Sequence, residues 1–255
     1  MDALIGHTGF VGGNLAKCHA FQALFNSANI DQAKHQAFDL LICAGVRAEK
    51  WIANRDGQKD RSDIQALVDV LATVKARTPV LISTTDVYSD TRGKTELDAT
   101  DEQNGQPYGR NRDYFERAFI EIFPNALVLR LPGLFGPGLK KNVVHDLVKG
   151  HEVEKINTDG VHQYYDVKWL WKDVRKSLDL GITTLNISSP PMKVEDICTE
   201  VFGVHLKQPR PDAPHYDMRS VHAKPWGGHD GYLYGREEIL RAMKAFVAEQ
   251  RALRP

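Results

Sequence analysis

Three glycines near the start of the chain constrain the fold more than any other feature of the sequence. Gly6, Gly9 and Gly12 directly follow the short apolar segment 2–5 and directly precede a helical segment. Glycines at such a turn let backbone N–H groups at the helix start point at a diphosphate, because no side chain blocks its approach. The spacing therefore predicts a dinucleotide site, to which the Thr8 hydroxyl adds a donor. A tight strand-to-helix turn without a ligand is the alternative.

The segments that follow alternate between strand length and helical periodicity. Continuous apolar runs at residues 38–44, 79–83 and 126–131 are typical of strands in a parallel sheet covered on both faces. Residues 62–76 and 110–123 have the apolar spacing of helices. This order predicts an α/β fold with a doubly wound parallel sheet of Rossmann type.

The connection between the second and third strands is short. A parallel crossover needs about a dozen residues or more, so segment 26–38 has room for one abbreviated connection and not for two. We therefore expect a trimmed sheet and an open adenine site. The second strand, at 21–25, ends at Asn26 and Ser27, where an acidic residue favours NAD and an Arg favours NADP. Asn26 can bond a ribose hydroxyl, so NAD is the predicted cofactor and NADP stays open.

Composition excludes several classes of partner. Lys+Arg and Asp+Glu both number 33, so no net charge attracts the chain to nucleic acid or to an anionic membrane. No apolar run reaches the roughly 18 residues that a bilayer requires. The three cysteines lack metal-ligand spacing, as do the histidines of the proline-rich segment after Ser188. These features predict a cytoplasmic protein with no metal, no nucleic acid and no membrane partner.

Three further motifs make a family recognisable. ISTTDVY at residues 82–88, PYGRNRDYFE at 107–116 and RLPGLFGPG at 130–138 follow GHTGFVGG at 6–13 in order. Together they resemble the nucleotide-sugar epimerases and dehydratases of the extended short-chain dehydrogenase/reductase family, up to about Ser188. The resemblance implies hydride transfer with a nicotinamide dinucleotide on a sugar or nucleotide-sugar substrate. It also implies a homodimer formed through helices 62–76 and 110–123.

The resemblance assigns catalytic roles to four residues. Thr84 would orient the reacting oxygen, and Tyr108 would exchange a proton with it. The family has a Lys four residues after the Tyr, where this chain has Arg112, which would hold the ribose and lower the pKa of Tyr108. Dehydratases have two acidic residues after the Thr. Here only Asp86 is acidic, since Thr85 precedes it, which favours epimerase or keto-reductase chemistry over dehydration.

The remaining predictions concern cofactor contacts and domains. The predicted dinucleotide-binding domain comprises residues 1–134 and about 162–188, and the predicted substrate lobe comprises about 135–161 and 189–255. The predicted cofactor contacts are Gly6, Thr8, Gly9, Phe10, Val11, Gly12, Asn26, Ser27, Ala44, Gly45, Tyr108, Arg112, Pro132, Gly133 and Leu134.

Three functions remain open at this point. The first is an NAD(P)-dependent enzyme that acts on a nucleotide-linked sugar in an epimerase-like manner. The second is a keto-sugar reductase of the same family. The third is a non-catalytic NAD(P)-binding sensor or assembly protein, because Arg112 replaces the family Lys and the adenine region is shortened.

Overall fold

The computed structural model describes residues 1–100, 103 and 105–253, so positions 101, 102, 104, 254 and 255 of the predicted domains lie outside the described residues. The backbone divides into two compact units. The sheet unit comprises Met1–Asp90, Asp98–Arg130 and Trp169–Leu185, and the lobe unit comprises Thr91–Leu97, Leu131–Lys168 and Asn186–Pro255. No described helix is long and apolar enough to span a bilayer.

The strands and helices of the described residues are as follows. The strands are β1 (Asp2–Ile5), β2 (Ala23–Phe25), β3 (Ala37–Cys43), β4 (Lys75–Thr84), β5 (Leu127–Leu131), β6 (Gly133–Phe135), β7 (Val161–His162), β8 (Tyr164–Asp166), β9 (Thr184–Asn186) and β10 (Met192–Lys193). The α-helices are α1 (Phe10–Cys18), α2 (Lys50–Arg55), α3 (Gly57–Leu71), α4 (Pro107–Ile122), α5 (Val143–Lys149), α6 (Leu170–Asp179), α7 (Val194–Ile197) and α8 (Arg236–Ala252).

The central sheet confirms the predicted fold class. Among the described residues, six strands pair in the order β2-β1-β3-β4-β5-β9. β1 pairs in parallel with β2 and with β3, and β3 pairs in parallel with β4. The polypeptide leaves β1 towards one edge of the sheet and then returns to its other side at β3, which is the topology of a doubly wound sheet.

The sheet is also trimmed, as predicted. In the usual dinucleotide-binding order a third strand lies outside the second one. In the described part of this chain β2 is the edge strand, and the connection to β3 contains only the short 3₁₀ helix Ile30–Ala33. A segment of this length can cross back to β3 but cannot form another helix and strand on the way.

The predicted helix 62–76 was wrong at both ends. The helix α3 starts at Gly57 and ends at Leu71, and β4 begins at Lys75, where Lys75 aligns with Ala37 of β3. Ala76 and Arg77 favour helix in isolation, but pairing with β3 outweighs that propensity. The second predicted helix, 110–123, starts earlier than expected, because Pro107 occupies the first turn of α4.

Apolar side chains of the strands and helices hold the sheet unit together. Leu41 of β3, Ile64 of α3 and Phe119 of α4 belong to one buried cluster. Because α3 and α4 pack together over the sheet, the first turns of both helices are fixed near the ends of the strands. That arrangement positions the side chains of the candidate active site.

The lobe unit contains short strands that pair in two small sheets. β6 pairs in parallel with β8, and β7 pairs antiparallel with β10. Glu96 accepts hydrogen bonds from the Ser220 hydroxyl (2.6 Å) and from the backbone N–H of Val221 (2.9 Å). This carboxylate fixes segment 91–97 within the lobe unit.

Candidate active site

The glycine-rich turn is closely packed against the neighbouring backbone. Gly6 has a φ of +88°, and a Cβ on it would lie 2.3 Å from the Ala44 carbonyl oxygen. A Cβ on Gly12 would lie 2.2 Å from the Gly6 carbonyl oxygen. Gly9 is the N-cap of α1, and its backbone N–H donates to Gly6 (3.0 Å). The turn therefore requires glycine and leaves the start of the helix without side-chain cover, which fits a diphosphate.

The ends of three neighbouring strands meet beside this turn. In the register of the sheet, Ile5 of β1 aligns with Cys43 of β3, which aligns with Leu81 of β4. The residues that follow these positions, Gly6 and Thr84 among them, therefore lie at the same carboxyl edge of the sheet. Ligands of doubly wound sheets bind at this edge, where the strand order reverses.

Thr84 and Asp86 lie in a tight turn that α4 closes. The Thr84 hydroxyl caps the 3₁₀ turn Thr85–Val87 by accepting from the Asp86 N–H (3.2 Å). A Cβ on Gly109 would lie 2.1 Å from the Asp86 carbonyl oxygen. Only glycine at this position lets the first turn of α4 approach the turn so closely.

Tyr108 is the second residue of α4, and its side chain is buried, with only 6% of its surface exposed. Its backbone N–H donates to the Asn54 side-chain oxygen (2.9 Å). Burial raises the pKa of Tyr108 above the usual value. The Arg112 guanidinium lowers this pKa, Asp86 raises it, and Lys50 and the Thr84 side chain lower it. Thr84 and Tyr108 are thus neighbours in the sheet unit.

Arg112 is held in a clamp that the sequence did not predict. Its two terminal nitrogens donate to the Asp60 carboxylate at 2.7 and 3.1 Å, and one of them also donates to the Arg47 carbonyl oxygen. The side chain of Arg112 is 5% exposed and that of Asp60 is 14% exposed. Its guanidinium carbon lies 4.3 Å from the centroid of the Tyr108 ring. Arg112 therefore packs on Tyr108 while its fork faces Asp60.

Lys50 is a second cation beside Tyr108, and sequence reasoning missed it. Its ammonium nitrogen lies 2.7 Å from Asp86 Oδ1 and 5.9 Å from the centroid of the Tyr108 ring. Lys50 begins the short helix α2, which follows the third strand. No spacing motif marks this position, so only the fold brings Lys50 to the site.

A buried ion pair lies in the same unit. Arg130 of β5 donates to Glu116 of α4 through Nε (3.0 and 3.1 Å) and Nη2 (2.6 Å). Its Nη1 donates to the Tyr88 hydroxyl (2.6 Å), and Ser83 donates to Glu116. The sequence does contain a sign of this pair. Glu116 is a charged residue on the buried face of a helix, and Arg130 is a charged residue in an apolar strand.

Asn26, the predicted ribose contact, is engaged locally. Its Oδ1 accepts from the Ala28 N–H (2.8 Å), and its Nδ2 lies 3.2 Å from His7 Nε2. Ser27 next to it is exposed. The end of β2 therefore forms a compact turn against the glycine-rich segment, and the predicted role of both residues stays a prediction.

Three predicted cofactor contacts belong to the lobe unit. Pro132 follows β5, while Gly133 and Leu134 lie on β6. The Gly133 N–H donates to the Gln163 carbonyl oxygen (3.1 Å), and a Cβ on Gly133 would lie 2.8 Å from that oxygen. The remaining predicted contacts, Thr8, Phe10, Val11, Ala44 and Gly45, lie on the glycine-rich turn, on the start of α1 and directly after β3. Among the described residues, no group of His, Cys, Asp and Glu side chains has metal-site geometry.

Comparison with known proteins supports the fold. No family model and no curated protein sequence matches the chain. Among solved structures, a dTDP-4-dehydrorhamnose reductase from Clostridium acetobutylicum is 17% identical over 98% of this chain and 100% of its own, with a TM-score of 0.71. A UDP-glucose 4-epimerase from Thermotoga maritima, solved with UDP-glucose, is 18% identical over 99% of both chains, with a TM-score of 0.70. RMD from Pseudomonas aeruginosa, complexed with NADPH, is 18% identical over 99% of this chain and 100% of its own, with a TM-score of 0.71.

Proposed function

We propose that the protein is an NAD(P)-dependent enzyme that transfers hydride at a ring carbon of a nucleotide-linked sugar, with epimerase-like chemistry. The observation that carries this proposal is the close approach of α4 to the turn after β4, which brings Tyr108 beside Thr84 and under the Arg112 guanidinium. Thr84 ends β4 at the carboxyl edge of the sheet, the edge at which β1 leads into the glycine-rich turn. Nucleotide-sugar enzymes share this fold, among them the reductase and the epimerase described above.

The glycine-rich turn fits a dinucleotide. Side chains at Gly6 and Gly12 would collide with backbone, so the N–H groups at the start of α1 stay accessible to a diphosphate. When bound, the nicotinamide of such a cofactor would accept or return a hydride. NAD remains the expected cofactor from Asn26, and NADP stays open, since a protein of this fold binds NADPH.

Four residues of the sheet unit would have separate roles in proton transfer. The Thr84 hydroxyl would orient the sugar oxygen, and the Tyr108 phenol would take or give its proton. Arg112 would hold the Tyr108 ring in place, because its guanidinium packs on that ring and is fixed by Asp60. Asp86 lies within the same group and would accept a hydrogen bond from a neighbouring sugar hydroxyl.

Reduction of a keto-sugar is the second candidate, and one observation favours it. Burial raises the pKa of Tyr108, so the phenol keeps its proton at neutral pH. A protonated Tyr donates to a carbonyl oxygen during reduction, whereas oxidation of a hydroxyl needs the phenolate. Net oxidation of the reduced cofactor in proportion to substrate would identify the reductase, and cofactor recycling would identify the epimerase.

The diphosphate of a nucleotide-linked substrate would need a cationic partner. Buried Gln163 is neutral and donates to the Ser189 and Met218 carbonyl oxygens, and Lys168 forms an ion pair with Glu249 at 3.0 Å. Lys140 and Lys141 also belong to the lobe unit, and we assign that role to them. Binding of UDP-glucose that is lost in the variant K140A/K141A would support this assignment, and unchanged affinity would contradict it.

A homodimer through α3 and α4 is part of the proposal. Both helices are long, and Ile120 of α4 is an exposed large apolar residue, 41% accessible. Burial of this side chain in a dimer interface would remove apolar surface from water, which favours association. Light scattering at micromolar concentration should give the mass of a dimer, and Ile120→Glu should shift the protein towards the monomer.

The variant Tyr108→Phe tests the proposed reaction. Calorimetry with oxidised and reduced NAD and NADP first establishes binding, and turnover is then measured with nucleotide sugars and their keto derivatives. Because general acid–base catalysis contributes about 10²–10⁴-fold, turnover should fall by that factor. Cofactor affinity should fall by about tenfold at most, since the variant keeps the ring and removes one neutral hydroxyl. Cofactor binding without any turnover in the unaltered protein would indicate the non-catalytic sensor. Absence of heat with all four dinucleotides would overturn the proposal.

A further inference from the structure

We propose that Lys50 is a positioning residue for Tyr108 and supplies the movable ammonium that the catalytic pattern lacks because Arg112 stands at the Lys position. The catalytic role of Lys50 rests on the proposed function. Its electrostatic effect on Tyr108 follows from the geometry of the sheet unit alone, and a measurement on the cofactor-free protein can test it.

The first step of the argument is the clamp on Arg112. A carboxylate at 2.7 and 3.1 Å compensates the guanidinium, and the side chain is almost fully buried. A guanidinium that is fixed in this way can pack on the Tyr108 ring, but it cannot follow the phenol oxygen as a flexible ammonium does. Arg112 therefore serves as a fixed cation beneath the ring.

The second step is the position of Lys50. Its ammonium lies 5.9 Å from the Tyr108 ring centroid, on a different helix from Arg112. The side chain is 42% exposed, so solvent and ligand can reach it. Four methylene groups allow the ammonium to move between Asp86 and a phenolate.

The third step concerns Asp86, whose side chain is 20% exposed. A carboxylate beside Tyr108 disfavours the phenolate, since the two negative charges repel each other. Lys50 opposes this repulsion in two ways, because its charge attracts the phenolate and its 2.7 Å contact neutralises Asp86. Loss of Lys50 would remove a positive charge from beside this carboxylate and from beside Tyr108.

The groups that face Tyr108 come from every element around it. Arg112 comes from α4 itself, Lys50 and Asn54 from α2, and Thr84 and Asp86 from the turn after β4. Asn54 is neutral and binds the backbone of Tyr108. Lys50 is therefore the cation that can be altered without breaking the buried clamp on Arg112.

The test is the ionisation of Tyr108 itself, followed by ¹⁹F NMR of protein labelled with 3-fluorotyrosine. The Tyr108 signal among the eight tyrosines is assigned by its loss in Tyr108→Phe. Fluorination lowers the phenol pKa, so the titration is followed at lower pH than that of an unlabelled tyrosine. An opposite charge within about 6 Å shifts a pKa by roughly 1–3 units, and partial exposure of Lys50 places the expected upward shift in Lys50→Met at about 1 unit.

Companion variants separate charge from structure. Lys50→Arg should restore the titration midpoint, Asp86→Asn should lower it, and Lys50→Met/Asp86→Asn should lie between the two single variants. Lys34→Met is the matched control, because Lys34 also pairs with a carboxylate (Asp31) at 2.7 Å and is 45% exposed. That control should leave the Tyr108 midpoint unchanged.

Two results would overturn the inference, namely an unchanged Tyr108 midpoint in Lys50→Met or an equal shift in Lys34→Met. Neither result depends on cofactor or substrate. If Lys50→Met shifts the midpoint while calorimetry detects no dinucleotide, the proposed function fails and the electrostatic role of Lys50 stands. If dinucleotides bind and the midpoint does not move in Lys50→Met, the proposed function stands and the electrostatic role of Lys50 fails.

Discussion

Arg112 and Asp60 form a two-pronged ion pair between neighbouring helices, with N–O distances of 2.7 and 3.1 Å. Asn111, the residue before Arg112, donates to the same carboxylate at 2.8 Å. The pair explains how the chain accommodates Arg at the family Lys position. A planar guanidinium is best paired with a planar carboxylate, and Asp60 of α3 provides one.

The first prediction concerns this pair. Asp60→Asn leaves the buried guanidinium without its counter-charge, so the free energy of unfolding should fall by about 1–3 kcal/mol. Asp63→Asn is the control, because Asp63 lies one turn further along α3, is 60% exposed and pairs with exposed Lys59. That variant should change stability by less than about 0.5 kcal/mol. Urea unfolding measures both, and equal effects would contradict the prediction.

The second prediction concerns the glycine-rich turn. Gly12→Ala places a Cβ 2.2 Å from the Gly6 carbonyl oxygen, so the turn must open. We expect dinucleotide affinity to fall by at least about tenfold and stability by about 1–3 kcal/mol. Calorimetry well below the unfolding temperature measures the affinity of the folded variant.

Gly13→Ala is the matched control for Gly12→Ala. Gly13 follows Gly12 in α1, and its Cβ would lie 3.5 Å from the carbonyl oxygen of His7 in the preceding turn, an ordinary van der Waals contact. Ala is favoured over Gly in helices by up to about 1 kcal/mol, so stability should be kept or increased, and cofactor affinity should be kept. Similar losses of affinity in both variants would show that the close approach at Gly12 is not the cause.

Much of the fold could be predicted because it depends on local patterns. Apolar runs identified β3, β4 and β5, and the short segment after Phe25 predicted the trimmed edge of the sheet. The predicted helix 62–76 was wrong at Lys75 and Ala76, because these residues pair with β3 instead. Long-range pairing of this kind has no signature within the segment itself.

The candidate site was predictable only where residues belong to contiguous motifs. Thr84 and Tyr108 were identified from such motifs, and the structure places them near each other. Lys50 and Asp60 carry no motif, because each reaches the site from a helix whose position is set by packing. The structure explains the carboxylate at position 60, because Asp60 pairs with Arg112. The sequence alone does not indicate this pair.

The third prediction concerns the ion pair of Arg130 and Glu116. Arg130→Met leaves a buried carboxylate uncompensated, and removal of one partner from such a pair costs about 3–5 kcal/mol. The variant Arg130→Met/Glu116→Leu removes both charges and should be more stable than Arg130→Met alone, although Tyr88 loses its hydrogen bond with Arg130 and Ser83 its hydrogen bond with Glu116. Urea unfolding of the double-mutant cycle measures the coupling. Additive losses would contradict the prediction.

The fourth prediction concerns the pH dependence of hydride transfer. Burial raises the pKa of Tyr108 above its ordinary value of about 10, so the phenolate is a minor species at neutral pH. Oxidation of a sugar hydroxyl needs that phenolate, and its rate should rise about tenfold per pH unit below the pKa. Reduction of a keto-sugar needs the protonated phenol, so its rate should stay level through neutral pH and fall only above the pKa. Initial rates in both directions at constant ionic strength measure the two profiles. An oxidation rate that is already level at neutral pH would mean that Tyr108 has a lowered pKa or is not the proton acceptor.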